Sequence, residues 1–424
     1  MDKRIIKTVI AEKQMEISRL QLVERPIKFD GHANYVIVGI RRAGKSYQMF
    51  QDIKGRVASG GMKIEDCLYV NFEDERLSSI QASELGLLLE CYAEMFDNPR
   101  PFVYLDEIQN VTGWEKFARR IADSKYRVMI TGSNAKMLSG EIATTLGGRF
   151  IVREVFPFSF SEYLTWQGVS LDSNWEYVPD VRLQVVRLFP AYFHYGGFPE
   201  TFVISDKREW INSLYLKILI GDIVVRNGIR SGASIRLLAK KMAESVMQPT
   251  TQTRLHHIVR SAVGNVSRNS ISDYLDYMNE AFLTFTVSNF TDSLAERATV
   301  CKRYFYDNGL LYNLLFDGEA SLLENIVAVD LVRRYRSGGA DGVYYFEKGM
   351  EVDFFVPDAS LAVQVSCSID DAMTRESEVR ALLRLSEAFP VRRAVIVTLD
   401  EEAAIAQPGL EIEVMPVWKW LLRG

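Results

Sequence analysis

The chain is poor in the residues that build metal centres and covalent cross-links. Its 424 residues include 4 cysteines and 4 histidines. Cys67, Cys91, Cys301 and Cys367 stand far apart, and none belongs to a Cys-x-x-Cys pair. That excludes a zinc ribbon and a dithiol redox motif, and the four thiols read as reduced packing residues. Only His256 and His257 are neighbours, so no histidine-based metal cluster is expected. No apolar run is long enough to cross a bilayer, and no membrane partner is expected. The first residues, Met1-Asp-Lys-Arg-Ile-Ile-Lys7, lack the sustained apolar core and cleavage site of a secretion signal. A cytoplasmic location follows as the expectation. Repeats and low-complexity tracts are missing too. There is no excess of positive charge: the net charge of −5 disfavours strong non-specific binding to nucleic acid.

What remains is ordinary globular material. Hydrophobic residues make up 48% and charged residues 25% of the chain, and its length is enough for two or three domains. One stretch stands out. Gly39-Ile-Arg-Arg-Ala-Gly-Lys-Ser46 follows the apolar run Tyr35–Val38 and precedes a helical pattern from Tyr47 to Ile53. This is G-x-x-x-x-G-K-[ST] between a strand and a helix, the Walker A P-loop. Gly39 and Gly44 allow the backbone to wrap closely around a polyphosphate. The N–H groups of Arg42, Ala43, Gly44, Lys45, Ser46 and Tyr47, together with the helix N-terminus, then face its negative charge. Lys45 can reach the β- and γ-phosphates of ATP, and Ser46 can ligate Mg²⁺.

A second element fits the first. Arg100–Leu105 is a short apolar strand that ends in Asp106 and Glu107. Asp106 is the expected Mg²⁺-associated carboxylate of a Walker B strand, and Glu107 is placed to polarise an attacking water. Tyr126–Thr131 is another apolar strand, followed by Gly132-Ser133-Asn134. Ligands of a parallel sheet bind beyond the carboxyl ends of its strands, so Ser133 or Asn134 could contact the γ-phosphate. Taken alone, that tripeptide is an ordinary turn.

Strand candidates Tyr35–Val38, Leu68–Phe72, Phe102–Leu105, Arg127–Thr131 and Phe150–Val155 alternate with helical stretches. The alternation predicts an α/β parallel sheet covered on both faces. Pro157 ends the pattern, and helical periodicity runs from about Val181 to Glu244 with a break at Gly196-Gly-Phe-Pro199. Two helical patterns between Gln252 and Glu280, then strand-like Phe282–Val287 and Tyr304–Tyr306, predict a winged helix-turn-helix. Its second helix carries Asp273, Asp276 and Glu280 and no basic residue, which favours protein packing over base reading. The last segment returns to mixed α/β. Glu324 on a helix, Glu351 and Asp353 on a strand, and Gln364-Val-Ser366 on the next strand occupy the places of the PD-(D/E)-x-K nuclease constellation. Gln364 stands where an acid is needed and Ser366 where a lysine is needed, so an inactive nuclease-like fold is expected.

These stretches together resemble one prokaryotic family. The residues that carry the likeness are the P-loop with its paired arginines, Asp106–Trp114, Thr131-Gly-Ser133, Gly196–Glu200, Asp222–Arg226, Tyr306-Asp-Asn-Gly309, Glu324-Asn325 and Glu351-Val-Asp353. The family is that of AAA-type P-loop ATPases with a C-terminal domain of unknown function and a restriction-endonuclease-like fold. The resemblance implies a P-loop AAA-type domain over residues 1–165, a helical lid over 166–245, a winged-helix-like domain over 246–306 and a nuclease-like α/β domain over 307–424. Family members often carry Lys where this chain has Ser366. The likeness also implies ATP and Mg²⁺ as cofactors, Ser133 or Asn134 at the sensor 1 position, a homo-oligomer such as a hexamer, and a role on DNA. In such an assembly Arg149 or Arg226 could complete a neighbour's site. Two function classes stay open: a remodeller acting on DNA, and a nucleotide-gated switch that binds a protein partner and turns over slowly. An ATP-dependent nuclease is the third.

Overall fold

A computed structural model describes residues 1–138, 144–264, 266–297, 299–336 and 342–423. The chain divides into two compact units, Met1–Val155 and Phe156–Gly424.

The first unit is a parallel sheet of five strands: β1 (Asn34–Val38), β2 (Cys67–Asn71), β3 (Phe102–Asp106), β4 (Arg127–Gly132) and β5 (Phe150–Glu154). Their order is β2-β3-β4-β1-β5. Each strand lies within a residue or two of its sequence expectation. β1 to β4 are buried almost throughout, as runs rich in Val, Ile and Leu must be when helices cover both faces. Helices α1 (Lys3–Arg19), α2 (Lys45–Ala58), α3 (Gly86–Met95) and α4 (Trp114–Asp123) supply that cover. Asp2 caps α1, and Gln14 on its buried face donates from Nε2 to the Cys67 carbonyl at 2.8 Å, tying the helix to β2. The register sets Tyr35 beside Met129 and Tyr104 beside Met129. It brings the carboxyl ends of β1, β3 and β4 level at one edge of the sheet, where the P-loop, Asp106 and Ser133 all emerge.

The second unit opens with helices α5 (Phe160–Trp166), α6 (Pro179–Tyr195) and α7 (Lys207–Leu216), the last continuing as a π-helical segment to Val225. Then follow α8 (Gly232–Glu244), α9 (Gln252–Val263), α10 (Arg268–Glu280), α11 (Asn308–Leu314), α12 (Glu319–Tyr335) and α13 (Ala372–Ala388). The strands of this unit are β6 (Thr250–Thr251), β7 (Thr284–Asn289), β8 (Val300–Phe305), β9 (Tyr344–Glu347), β10 (Glu351–Val356), β11 (Leu361–Val365), β12 (Arg393–Thr398), β13 (Ala403–Gln407) and β14 (Leu410–Pro416). All nine form one mixed sheet, β13-β14-β12-β11-β10-β9-β7-β8-β6. The β7–β8 hairpin expected as the wing is part of it, because β7 pairs in parallel with β9 through Ser288–Tyr344 and Asn289–Tyr345. The expected boundary at 306/307 therefore falls inside a continuous sheet. The first expected boundary, at 165/166, lies ten residues beyond the end of the first compact unit.

Three of the resemblance motifs meet in the interior of this unit. Asp307 accepts from the backbone N–H of Gly197 and of Gly309, each at 2.8 Å. A Cβ on Gly196 would fall 1.8 Å from Asp307 Oδ1, which explains the glycine. Asn308 donates to the carbonyls of Phe193 and Leu322, and Asn325 donates to Phe305 O and Asn308 Oδ1. Buried amides and carboxyls must be satisfied internally, so these motifs hold one another and serve the fold.

Candidate functional site

The P-loop is built by contrasts in backbone freedom. Gly39 has φ 148°, and a Cβ there would lie 2.1 Å from the Val155 carbonyl of the strand alongside. Arg42 (φ 68°) and Gly44 (φ 91°) adopt left-handed conformations, and Gly44 is the N-cap of α2. The cap has no side-chain acceptor, so the first N–H groups of α2 lack a capping side chain. Such a helix start suits an anion. Buried Lys45 places its Nζ 3.2 Å from Gly39 O and 3.4 Å from Ile40 O. It also lies 3.4 Å from Glu107 Oε1. Arg25, likewise buried, donates to the Ala43 carbonyl at 3.0 Å and braces the loop from outside. Tyr47, by contrast, is exposed, and its ring meets Phe50 edge-on.

Asp106 and Glu107 leave β3 in different directions. Asp106 is fully buried. The Tyr69 hydroxyl donates to its Oδ2 at 2.5 Å and the Thr131 hydroxyl to its Oδ1. Burial and the neighbouring Glu107 charge raise its pKa. Hydrogen bonds from Thr131, Tyr69 and Ser46 oppose the rise. Glu107 sits at φ 51°, a left-handed conformation that is unfavourable for a residue with a side chain. Its N–H donates to Thr131 Oγ1 at 2.9 Å. Burial pushes its pKa up, but Lys45, Gln109 and Arg41 outweigh that, and the group is held below its ordinary value. Glu107 is thus ionised beside the Lys45 ammonium. Gln109 donates to Glu107 and reaches Ser133 Oγ at 3.5 Å, while its own Oε1 is buried without a partner.

The structure therefore brings together Gly39, Gly44, Lys45, Ser46, Asp106, Glu107 and Ser133, and Asn134 follows buried at the end of β4. The sequence alone assigns no site role to Thr131, Tyr69, Gln109 or Arg25. Thr131 lay inside the noted Thr-Gly-Ser run and Gln109 inside Asp-Glu-Ile-Gln, so both were within sight of the motifs. Neither arginine proposed to act across subunits is idle in its own chain. Arg149 pairs with Asp123 and stands at the start of β5, the end remote from the P-loop. Arg226 lies 3.6 Å from Asp222.

The donor set fits a nucleotide with its metal: loop amides and an ammonium for phosphates, and Ser46 hydrogen-bonded to Asp106 for a cation that usually keeps several waters. Among the described residues no group of three or more His, Cys, Asp or Glu could hold a metal ion by itself. Residues 32–164 match the model of the AAA domain. That stretch, which holds the P-loop, Asp106, Glu107 and Ser133, is therefore similar to an AAA domain. A domain of unknown function matches residues 186–321. The chain is similar to an uncharacterized protein of Methanocaldococcus jannaschii, 28% identical over 100% of this chain and 96% of the relative. It is also similar to an uncharacterized protein of Haemophilus influenzae, 29% identical over 96% and 99%. Among solved structures it is similar to a Walker-type ATPase of Pyrococcus abyssi, with TM-score 0.36, 12% identity and coverage of 74% of this chain and 95% of that one. A second is Cdc6p from Pyrobaculum aerophilum, with TM-score 0.26, 13% identity and coverage of 77% and 98%.

The second unit holds another ionic cluster. β10 runs antiparallel to β11, and Asp353 and Gln364 are joined there: Asp353 N–H donates to Gln364 Oε1 at 2.7 Å, and Val365 N–H to Asp353 Oδ2 at 2.9 Å. Gln364 Nε2 donates to Glu378 on α13 at 2.6 Å. The surprise is a lysine. Lys302 of β8 is completely buried, with Nζ 2.8 Å from Glu351, 3.1 Å from Glu324 and 3.2 Å from Asp353. Tyr304 on the same strand donates to Glu324 at 2.6 Å. Burial lowers the Lys302 pKa, but the three carboxylates more than reverse this. Ser366 instead donates to the Ser368 carbonyl. The expectation that this constellation lacks a cation is corrected: the cation is present and comes from a different strand.

Proposed function

We propose that this chain is an Mg²⁺-dependent ATPase that couples nucleotide state to conformational change and acts on DNA. The observation that carries the reading is the junction of Lys45, Glu107 and Thr131-held Asp106 at the carboxyl ends of three adjacent parallel strands. Lys45 and the amides of the P-loop bind and orient the β- and γ-phosphates. Ser46 and Asp106 would hold the metal, which would supply charge neutralisation of the phosphates. Glu107 accepts the proton of the attacking water. Ser133 and Asn134 sense the γ-phosphate, and Gln109 links Ser133 to Glu107.

Glu107→Gln tests the assignment. Binding of ATP should stay within a few-fold of the parent, because Lys45, Ser46 and Asp106 are intact. Turnover in a coupled phosphate-release assay should fall about a hundred-fold. Unchanged turnover would remove Glu107 from the mechanism.

We read the Lys302 cluster as non-cleaving, since an ammonium already fills the space between the carboxylates that two-metal chemistry needs. Mn²⁺-dependent cutting of DNA that disappears on Glu351→Ala with Asp353→Ala would reverse this reading.

A further inference from the structure

We infer that the exposed face of α9 docks on the phosphate backbone of duplex DNA. The inference rests on the reading of the chain as acting on DNA, and it names the surface. Between residues 223 and 268 the chain carries eight Lys and Arg against one acidic residue, Glu244, although its net charge is −5. Glu244 is itself ion-paired to Lys241.

The helix geometry gathers this charge. Leu255 and Val259 are the buried residues of α9. At 100° per residue His257 stands opposite them, with Arg254 and Arg260 flanking it on either side. All three are exposed. Arg268, at the start of α10, donates from Nη2 to Thr253 Oγ1 at 2.7 Å. Its guanidinium is therefore held on the same face of α9, between His257 and Arg260 in the helical projection. Three guanidinium groups and an imidazole share one exposed surface. α10, the helix that topology would nominate as the reader, instead exposes Asp273 and Asp276, and phosphates repel it.

The chemistry of the segment selects the form of nucleic acid. No Phe, Tyr or Trp occurs between residues 216 and 273. Single strands are held by stacking bases on such rings, so this surface lacks a single-strand platform. A helix face with cations along it suits the wide major groove of B-form DNA and its flanking phosphates. The deep, narrow groove of A-form RNA would not admit it.

The test is fluorescence anisotropy of a short labelled DNA duplex with the full chain over a salt series. The parent protein should bind with a steep salt dependence. Arg254→Gln with Arg260→Gln and Arg268→Gln should weaken binding at least about tenfold at low salt and reduce the log–log salt slope by about 2–3, near one unit per lost phosphate contact. Arg260→Gln alone should reduce it by about 1, which keeps the idea testable if the triple variant melts early. Basal ATPase activity without DNA should be unchanged in both variants. Equal binding by parent and triple variant, no duplex binding by the parent, or tighter binding of single-stranded DNA or duplex RNA would each overturn the assignment. ATP titrations of the same samples separate the two readings: loss of ATP binding in the parent would sink the ATPase, whereas loss of duplex binding alone sinks only this surface.

Discussion

Lys45 of the first unit and Lys302 of the second, both buried, face carboxylates in opposite circumstances. Lys45 has one carboxylate at 3.4 Å and two loop carbonyls, and it emerges from a loop whose backbone offers N–H donors. Lys302 has three carboxylates within 3.2 Å and lies on a strand. The first site has a surplus of donors and is short of negative charge, so it is built to take an anion from solution. The second has a surplus of acceptors, and its cation is already supplied by the chain. The same residue type is therefore a ligand-binding group in one unit and a structural counter-ion in the other. What differs is the charge balance of the surroundings, not the lysine.

The largest expected effect breaks the comparison on the stability side. Lys302→Met leaves Glu324, Glu351 and Asp353 without their shared partner. Removing one member of a buried pair costs about 3–5 kcal/mol, which for a unit of this size is a fall in Tm on the order of 10 °C. Calorimetric melting of the full chain measures it. A variant as stable as the parent would mean that the cluster is not held together by Lys302.

A smaller effect sharpens the comparison through pH. Burial and then the charge of Asp353 raise the Glu378 pKa to about 7, while its bond from Gln364 opposes the rise. Glu351 and Glu324 add to the rise. The folded carboxyl keeps its proton in a range where the unfolded one has released it. The stability that this group contributes is therefore present at low pH and is lost as pH rises from about 4.5 to about 7. Glu378→Gln should flatten that fall: the Tm difference between pH 5 and pH 8 should shrink by roughly 2–4 °C. An unaltered pH profile would show that Glu378 is ordinary. Glu324, also raised to about 7 by burial and Asp353, remains in the variant and keeps part of the slope.

What could be read in advance follows the range of the interactions. The P-loop, its strand and its helix are contiguous, and every residue type there answers a local demand: Gly39 at a close approach, Gly44 in a left-handed cap, Lys45 and Ser46 on the first turn. Asp106 and Glu107 were legible because an apolar strand ended on them. Thr131, which positions both, was harder to see because its partners lie 24 and 25 residues away in sequence. Lys302 escaped for a plain reason. The strand was expected to begin at Tyr304, because Lys302 and Arg303 interrupt the apolar pattern, yet β8 starts at Val300 and carries the lysine inward. The joining of the hairpin to the terminal sheet was equally hidden, since alternation along β7 and β9 gives each strand its faces but not its partner.

The central claim is that Lys45 serves an external anion. Isothermal titration of ATP with Mg²⁺ into the parent chain and into Lys45→Ala tests it most directly. The account predicts saturable binding by the parent and binding at least about a hundred-fold weaker in the variant. Parent-like ATP affinity in Lys45→Ala would contradict it.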